Sequence, residues 1–245
     1  MAYFLAFVVG VGPGSIAVKY WGWRSVFVGL AILSTVIVAI VVARLPSDRR
    51  HKVSPFSLVS LTSHFRKPDR LAGMVAAFLT SGGLVGFLTY VAAWLQTGKG
   101  VSIEKIGLLI MVSGIAAAVA SPLSGWLSDH AGKTRVIMGA NLILSAVFLG
   151  VARMDWGWPL WIGMALLSIC ASARQAPLHA ITTEIVGPEI RGEYTAVRNA
   201  SSQLGIAMAA TASAYAFDAY GFSGVSNLAA AMTLLIPLCF FWLRE

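Results

Sequence analysis

Long apolar runs separated by short polar connections dominate this chain. Each run approaches or exceeds the roughly 20 residues that an α-helix needs to cross the hydrocarbon core of a bilayer. The runs are too long and alternate too little for barrel strands, so helices are predicted instead. The pattern predicts eight helices, at residues 1–18, 23–43, 71–96, 103–128, 134–153, 157–184, 193–217 and 222–243.

Composition supports an all-α integral membrane protein. The chain is 58% hydrophobic and 11% charged, whereas a soluble domain carries about 25% charged residues. The formal net charge of +8 does not indicate a nucleic-acid partner, because the basic residues lie in loops between apolar runs. Neither Cys170 nor Cys239 has metal-ligand spacing, and no metal site is expected. No enzyme motif is present, so we expect neither an enzyme nor a cofactor, and proton coupling stays open.

The longest polar segment, residues 44–70, contains seven Lys and Arg residues. Basic loops favour the cytoplasmic side, so this segment is predicted to be a cytoplasmic linker between segments 1–43 and 71–245. Eight spans then place both termini in the cytoplasm of a multi-pass protein of the inner (plasma) membrane. Twelve of the 18 Lys and Arg residues, Arg198 among them, lie on that side, five lie on the other, and Arg174 lies within a span.

One short turn carries the most specific motif. Residues 125–135 read G-x-L-x-D-x-x-G-K-x-R, which resembles a cytoplasmic loop of the major facilitator superfamily of secondary transporters. Gly22-Trp23-Arg24 with Phe27, Leu45-Pro46, and Glu184 with Arg191 seven positions later resemble further loops of this family, in the same order.

The resemblance implies a chain that begins at the family's fifth helix. Residues 1–43 then supply two helices of the N-terminal bundle, and residues 71–245 supply the complete six-helix C-terminal bundle. The implied activity is alternating-access transport of a small solute, most similar to efflux permeases of drugs or sugars. A missing N-terminal half or a second chain is then an expected partner, beside the bilayer and the solute. The alternative is a non-transporting truncated protein, or a half-size subunit that requires a partner chain.

The resemblance also assigns a cytoplasmic gate. In the family this loop clamps neighbouring helices through charge pairs that break and re-form during transport. Glu184 and Arg191 are candidate partners of Lys133 and Arg135, and the alternative is a solvated loop that only sets orientation. The implied gate residues are Gly125, Asp129, Gly132, Lys133, Arg135, Glu184 and Arg191.

Arg174 is the strongest candidate for solute contact. It lies near the middle of the sixth predicted span, where an arginine costs at least about 2.5–3.5 kcal/mol. Such a residue normally faces a water-filled cavity, which predicts contact with substrate. The alternative is an arginine that snorkels to the interface or pairs structurally with a polar neighbour.

Four further residues are candidates to line a solute site. Asn199 and Gln203 share one face of the seventh span and either bind solute or join two helices. Tyr90 and Trp94 continue an aromatic stripe from Phe87 on the third span. Such a stripe forms either a binding wall or a packing surface.

Overall fold

The computed structural model describes residues 12–44 and 64–240. Every regular element in these two segments is helical, which confirms the predicted all-α class there. The last helical stretch, Arg191–Cys239, is broken at Gly221 (φ 65°, ψ −161°), and we call its two parts α7 (191–220) and α8 (222–239). The preceding helices are α1 Gly12–Trp21, α2 Trp23–Arg44, α3 Pro68–Ala93, α4 Ile103–Ala131, α5 Lys133–Val151 and α6 Trp158–Glu184.

The helix boundaries follow the prediction, with local differences. The helix α3 begins at Pro68, three residues before its predicted start, because proline suits the first helical turn, where its missing N–H is not needed. A π-helical turn, Trp94–Gly98, continues α3. Only Gly22 separates α1 from α2, and its positive φ of 74° is a conformation that glycine adopts easily. Residues 1–11, most of the predicted linker (45–63) and residues 241–245 lie outside the described segments.

Five helical stretches are long and apolar enough to cross a membrane, judged by length and composition. The helix α6 has sufficient length, but Arg174 and Gln175 interrupt its apolar run. Arg191–Cys239 spans 49 residues, more than one crossing needs, and Gly221 divides it. The five are Trp23–Arg44, Pro68–Gly98, Ile103–Ala131, Lys133–Val151 and Arg191–Cys239. The chain is therefore a multi-pass membrane protein.

The helices α3 to α8 pack as one bundle. The helix α3 lies along the Arg191–Cys239 stretch, α6 packs on both α4 and α5, and α5 also contacts this last stretch. The ring of Phe87 packs against the rings of Phe148 and Phe222 in the larger core, with ring centroids 4.8 and 5.0 Å apart. The helix α1 contacts α2 and α4. No residue of α2 is buried, so its apolar surface is left for lipid or for another protein segment.

Candidate functional site

Arg174 is fully buried at the junction of three helices. Its Nη1 donates a hydrogen bond to Asn141 Oδ1 of α5 at 2.7 Å, and its Nη2 donates to the Thr80 carbonyl of α3 at 3.2 Å. Asn141 is fixed in turn, because its Nδ2 donates to the Ile137 carbonyl at 2.9 Å. These contacts match the alternative of structural pairing, and solute contact by Arg174 stays a prediction.

Asn199 and Gln203 lie on an exposed face of α7. Thr211 and Tyr215 recur on the same face at multiples of four residues, and the Tyr215 side chain is 74% exposed. The opposite face of α7, which includes Gly205, packs on α3. Polar side chains are expensive against lipid, so this exposed face suits a water-filled cavity or a second protein surface.

Tyr90 and Trp94 make packing contacts within the bundle. Trp94 stacks on Phe222 with ring centroids 4.3 Å apart, and Tyr90 packs on Phe217 at 5.3 Å. Both side chains are half-buried. Their contacts support the packing alternative, and a role in solute binding stays a prediction.

The 125–135 motif spans the end of α4, the turn at Gly132 and the start of α5. Gly132 adopts φ 93°, which explains the glycine at this point. Lys133 Nζ donates to both carboxylate oxygens of Glu184, at 2.6 and 2.8 Å, and so ties the start of α5 to the end of α6. This is one of the pairs expected from the sequence. A gating role for it is not shown by these contacts.

The other charged members of the predicted gate are not joined to this pair by an ion pair. Asp129, Arg135 and Arg191 are exposed and make no ion pair among residues 12–44 and 64–240. Nothing lies within 4 Å of a Cβ built on Gly125. An exposed ion pair such as Lys133–Glu184 contributes only about 0–1 kcal/mol to stability.

A buried histidine cluster was missed by the sequence analysis. Arg70 Nη1 donates to His64 Nδ1 at 3.1 Å, and a guanidinium can only donate, so the ring carries its proton on Nε2. That nitrogen lies 3.3 Å from Glu193 Oε1 of α7. The Tyr194 hydroxyl donates to the Arg70 carbonyl at 3.1 Å. The cluster fixes the residues before α3 onto α7, and no local spacing could reveal contacts across more than 120 positions.

Arg198, which we counted among the charges on the cytoplasmic side, is almost fully buried. It is only 3% exposed and lies two turns inside α7. Its Nη1 donates to His179 Nδ1 of α6 at 3.0 Å. Its position within the predicted seventh helix was the available signal, because a charge that far into a span must face protein or water.

The opposite end of the bundle carries the ion pair Lys99–Asp155. Lys99 Nζ donates to Asp155 Oδ1 at 2.5 Å, and the ammonium also lies 5.7 Å from the centre of the Trp94 ring. The hydrogen bond and the positive charge of Lys99 lower the pKa of Asp155 below its ordinary value of 3.8. The pair joins the loop after α3 to the loop before α6.

The pH dependence of this pair follows from the lowered pKa. Its stabilisation is fully present above pH 3.8, the ordinary pKa of aspartate, and is lost as the pH falls through the lower pKa of the folded state. We expect Asp155→Asn to melt at a slightly lower temperature than the parent at pH 5–7, with the two converging on further acidification. Melting curves between pH 7 and 3 measure this. Lys99→Gln should behave likewise, and high salt should shrink both differences. A difference in melting temperature between Asp155→Asn and the parent that grows on acidification would contradict the stabilising role of the Lys99–Asp155 pair.

Comparison with known proteins identifies the family of the chain. The family model described as the Major Facilitator Superfamily matches residues 93–245. The purine ribonucleoside efflux pump NepI of Salmonella paratyphi B is 26% identical over 186 residues, which cover 66% of this chain and 45% of the pump. A protein of Streptomyces coelicolor named as a probable transporter is 28% identical over 232 residues, or 91% of this chain and 52% of that protein. The chain thus spans about half the length of these relatives.

The fold agrees with the family match. The crystal structure of a bacterial homologue of the iron transporter ferroportin, in an outward-facing state, superposes with a TM-score of 0.66. The superposition covers 97% of this chain and 60% of that chain at 14% sequence identity, so it bears on the fold alone. The family model, by contrast, covers more than half of the chain, including the 125–135 turn and Arg174. The chain therefore belongs to the major facilitator superfamily of membrane transporters.

Proposed function

We propose that the chain carries the C-terminal bundle (71–245) and two helices of the N-terminal bundle (1–43) of a secondary transporter, joined by a cytoplasmic linker (44–70). It then contributes eight spans, and the transporter moves a small solute by alternating access around a midplane site. The observation that carries this proposal is the pair of amide side chains on the exposed face of α7. Asn199 and Gln203 there are exposed on a helix of membrane-spanning length and composition, which suits a cavity shared with a second bundle.

Efflux is the proposed direction, because one similar protein is an efflux pump. Drugs and sugars are the proposed solute classes, and purine ribonucleosides join them because that pump exports them. A half-size subunit that needs a partner chain is the second candidate. The fully unburied α2 favours it, since a second chain would cover that apolar surface.

Sidedness is tested by cysteine labelling in a variant that lacks Cys170 and Cys239. We expect single cysteines at Ser54 and Thr134 to resist an impermeant thiol reagent in intact cells, because Ser54 lies in the basic linker and Thr134 lies between Lys133 and Arg135 at the start of α5. A cysteine at Gly98, which is exposed at the other end of the bundle, should react. Permeabilised cells provide the control, in which all three should react. Labelling of Ser54→Cys in sealed cells would overturn the proposed cytoplasmic linker and termini.

Solute binding by α7 is tested on the purified chain. Its melting temperature is measured with a panel of purine ribonucleosides, sugars and cationic drugs. We expect at least one class to stabilise the chain, and Asn199→Ala or Gln203→Ala to abolish that shift, because each removes an amide from the exposed face. Thr89→Ala is the control, since Thr89 is exposed on α3 and its hydroxyl donates to its own helix at the Val85 carbonyl. No shift with any class, or an equal loss in the control, would contradict a solute site on α7.

A transport measurement distinguishes a transporter that needs the missing bundle from one in which two copies of this chain build the cavity. In proteoliposomes with an imposed proton gradient, the chain alone should bind solute without transporting it, because alternating access needs two bundles that close on one site. Saturable, gradient-dependent flux from this chain alone would refute that expectation. It would show instead that two copies build the cavity.

A further inference from the structure

An apolar groove runs along the outside of the bundle between α3 and α8. Its volume is about 550 Å³. Leu71, Val75 and Leu79 line it from α3, and Leu235, Leu238 and Cys239 line it from α8. The side chains of Leu71 and Val75 are each 40% exposed, and that of Leu238 is 55% exposed.

The groove is shaped for one leaflet of a bilayer. It starts at Pro68, the first residue of α3, and extends to Leu79. Eleven residues at 1.5 Å each give about 16 Å of helix. One leaflet contributes about 15 Å of the 30 Å hydrocarbon core. The groove therefore matches the depth that a single acyl chain occupies.

The lining does not resemble a helix–helix interface. Contacts between membrane helices use small residues that let backbones approach, or polar side chains that bond across the gap. Such a contact occurs elsewhere on α3, where Gly82 faces the Gly205 carbonyl. The groove instead presents mainly branched aliphatic side chains and almost no polar surface. A hydrocarbon chain fits that lining better than another helix.

Two cations come directly before Pro68, the first residue of α3 that lines the groove. These are Arg66 and Lys67, both are exposed, and neither has an ion pair among residues 64–240. Arg70, one turn further, is already engaged with His64. Asp69 is the acidic residue of the first turn of α3, so the start of α3 keeps an excess of positive charge. Cations at the headgroup level attract anionic lipids, whereas a zwitterionic headgroup carries its own ammonium.

We propose that this groove binds one anionic phospholipid, with an acyl chain along α3 and α8 and the phosphate against Arg66 and Lys67. The lipid would brace the start of α3 at the point where the chain enters the bundle. The site lies away from the exposed face of α7, so the inference does not depend on the identity of the solute.

Lipid binding is measured on the purified chain by native mass spectrometry, with phosphatidylglycerol and phosphatidylcholine as the probes. We expect phosphatidylglycerol to bind more tightly. Arg66→Gln and Lys67→Gln should each weaken it about fivefold, and phosphatidylcholine should be little affected, because a surface cation attracts anionic lipid by a comparable factor. The double change Lys105→Gln and Arg153→Gln is the control, since both residues are exposed. Lys105 lies at the start of α4 and Arg153 follows the end of α5, at the opposite end of the bundle from the groove.

A second variant tests the acyl chain. Val75→Phe fills the groove from an exposed position and should lower the occupancy by both lipids, while the melting temperature in detergent stays near that of the parent. Equal binding of the two lipids, or equal losses in the Arg66/Lys67 and Lys105/Arg153 variants, would overturn the proposal. Binding of free glycerol phosphate as tight as that of phosphatidylglycerol, unaffected by Val75→Phe, would also overturn it, because it would indicate a phosphate site without a lipid chain.

Discussion

Replacement of Gly205 by alanine is expected to force α7 away from α3 and to destabilise the whole bundle. A Cβ at this position would lie 2.3 Å from the carbonyl oxygen of Phe78 and 2.9 Å from its carbonyl carbon. The obstacle is backbone inside a helix, which cannot turn aside as a side chain can. Overpacking a well-packed interior typically costs about 1–3 kcal/mol, and we expect the upper end of that range or more. Unfolding in detergent, followed by temperature or by added denaturing detergent, measures the loss.

Other glycines provide a graded series for this prediction. A Cβ on Gly82 would lie 2.7 Å from the Gly205 carbonyl, whereas one on Gly83 would lie 3.4 Å from the Ala229 carbonyl. We expect the loss to decrease from Gly205→Ala through Gly82→Ala to Gly83→Ala. The matched control is Gly139→Ala in α5, where nothing lies within 4 Å. Alanine there should leave stability unchanged or raise it by about 0.5–1 kcal/mol, because glycine is a poor helix former. Equal stability of Gly205→Ala and Gly139→Ala would contradict the close contact.

Replacement of Asn141, whose side-chain oxygen accepts a hydrogen bond from Arg174, is expected to cause the second large loss of stability. Arg174 is fully buried, so after Asn141→Ala its Nη1 would have neither this acceptor nor water. A hydrogen bond to a charged group is worth about 1.5–3 kcal/mol, well above the average of about 0.6 kcal/mol for polar contacts between membrane helices. The unfolding measurement should show a loss in that range. Asn199→Ala is the control, because it removes an exposed amide from α7, and a similar loss in both variants would count against the Arg174 junction.

The same junction allows structural pairing to be separated from solute contact. Arg174→Met removes the charge but keeps an unbranched side chain, and apolar replacement of a buried charge is often tolerated. Under structural pairing, Arg174→Met should be more stable than Asn141→Ala and should still bind solute. Under direct solute contact, Arg174→Met should stay folded and lose the solute-induced rise in melting temperature, and Arg174→Lys should only partly restore it, because an ammonium lacks the planar fork.

The helices themselves could be predicted from the sequence. In lipid, each spanning segment must satisfy its own backbone hydrogen bonds, so a long apolar run leaves few alternatives to a helix. Apart from the start of the first predicted helix, which lies outside the described residues, the helix ends lie within about four residues of the predicted ones. The differences at the two ends of α3 have local causes in Pro68 and the Trp94–Gly98 turn. The 125–135 turn and the Lys133–Glu184 pair were also foreseen, because they belong to a motif that fixes order and spacing along the chain.

The sequence by itself thus determined that the chain is helical, enters the membrane and carries this turn, because these properties depend on runs of neighbouring residues. The tertiary structure decided which face of each helix meets which neighbour. In a soluble helix, the polar stripe marks the outward face, but here lipid and core are both apolar, so that contrast is nearly absent. Only the packed bundle could therefore bring Asn141 to Arg174, His179 to Arg198, and Gly205 against Phe78.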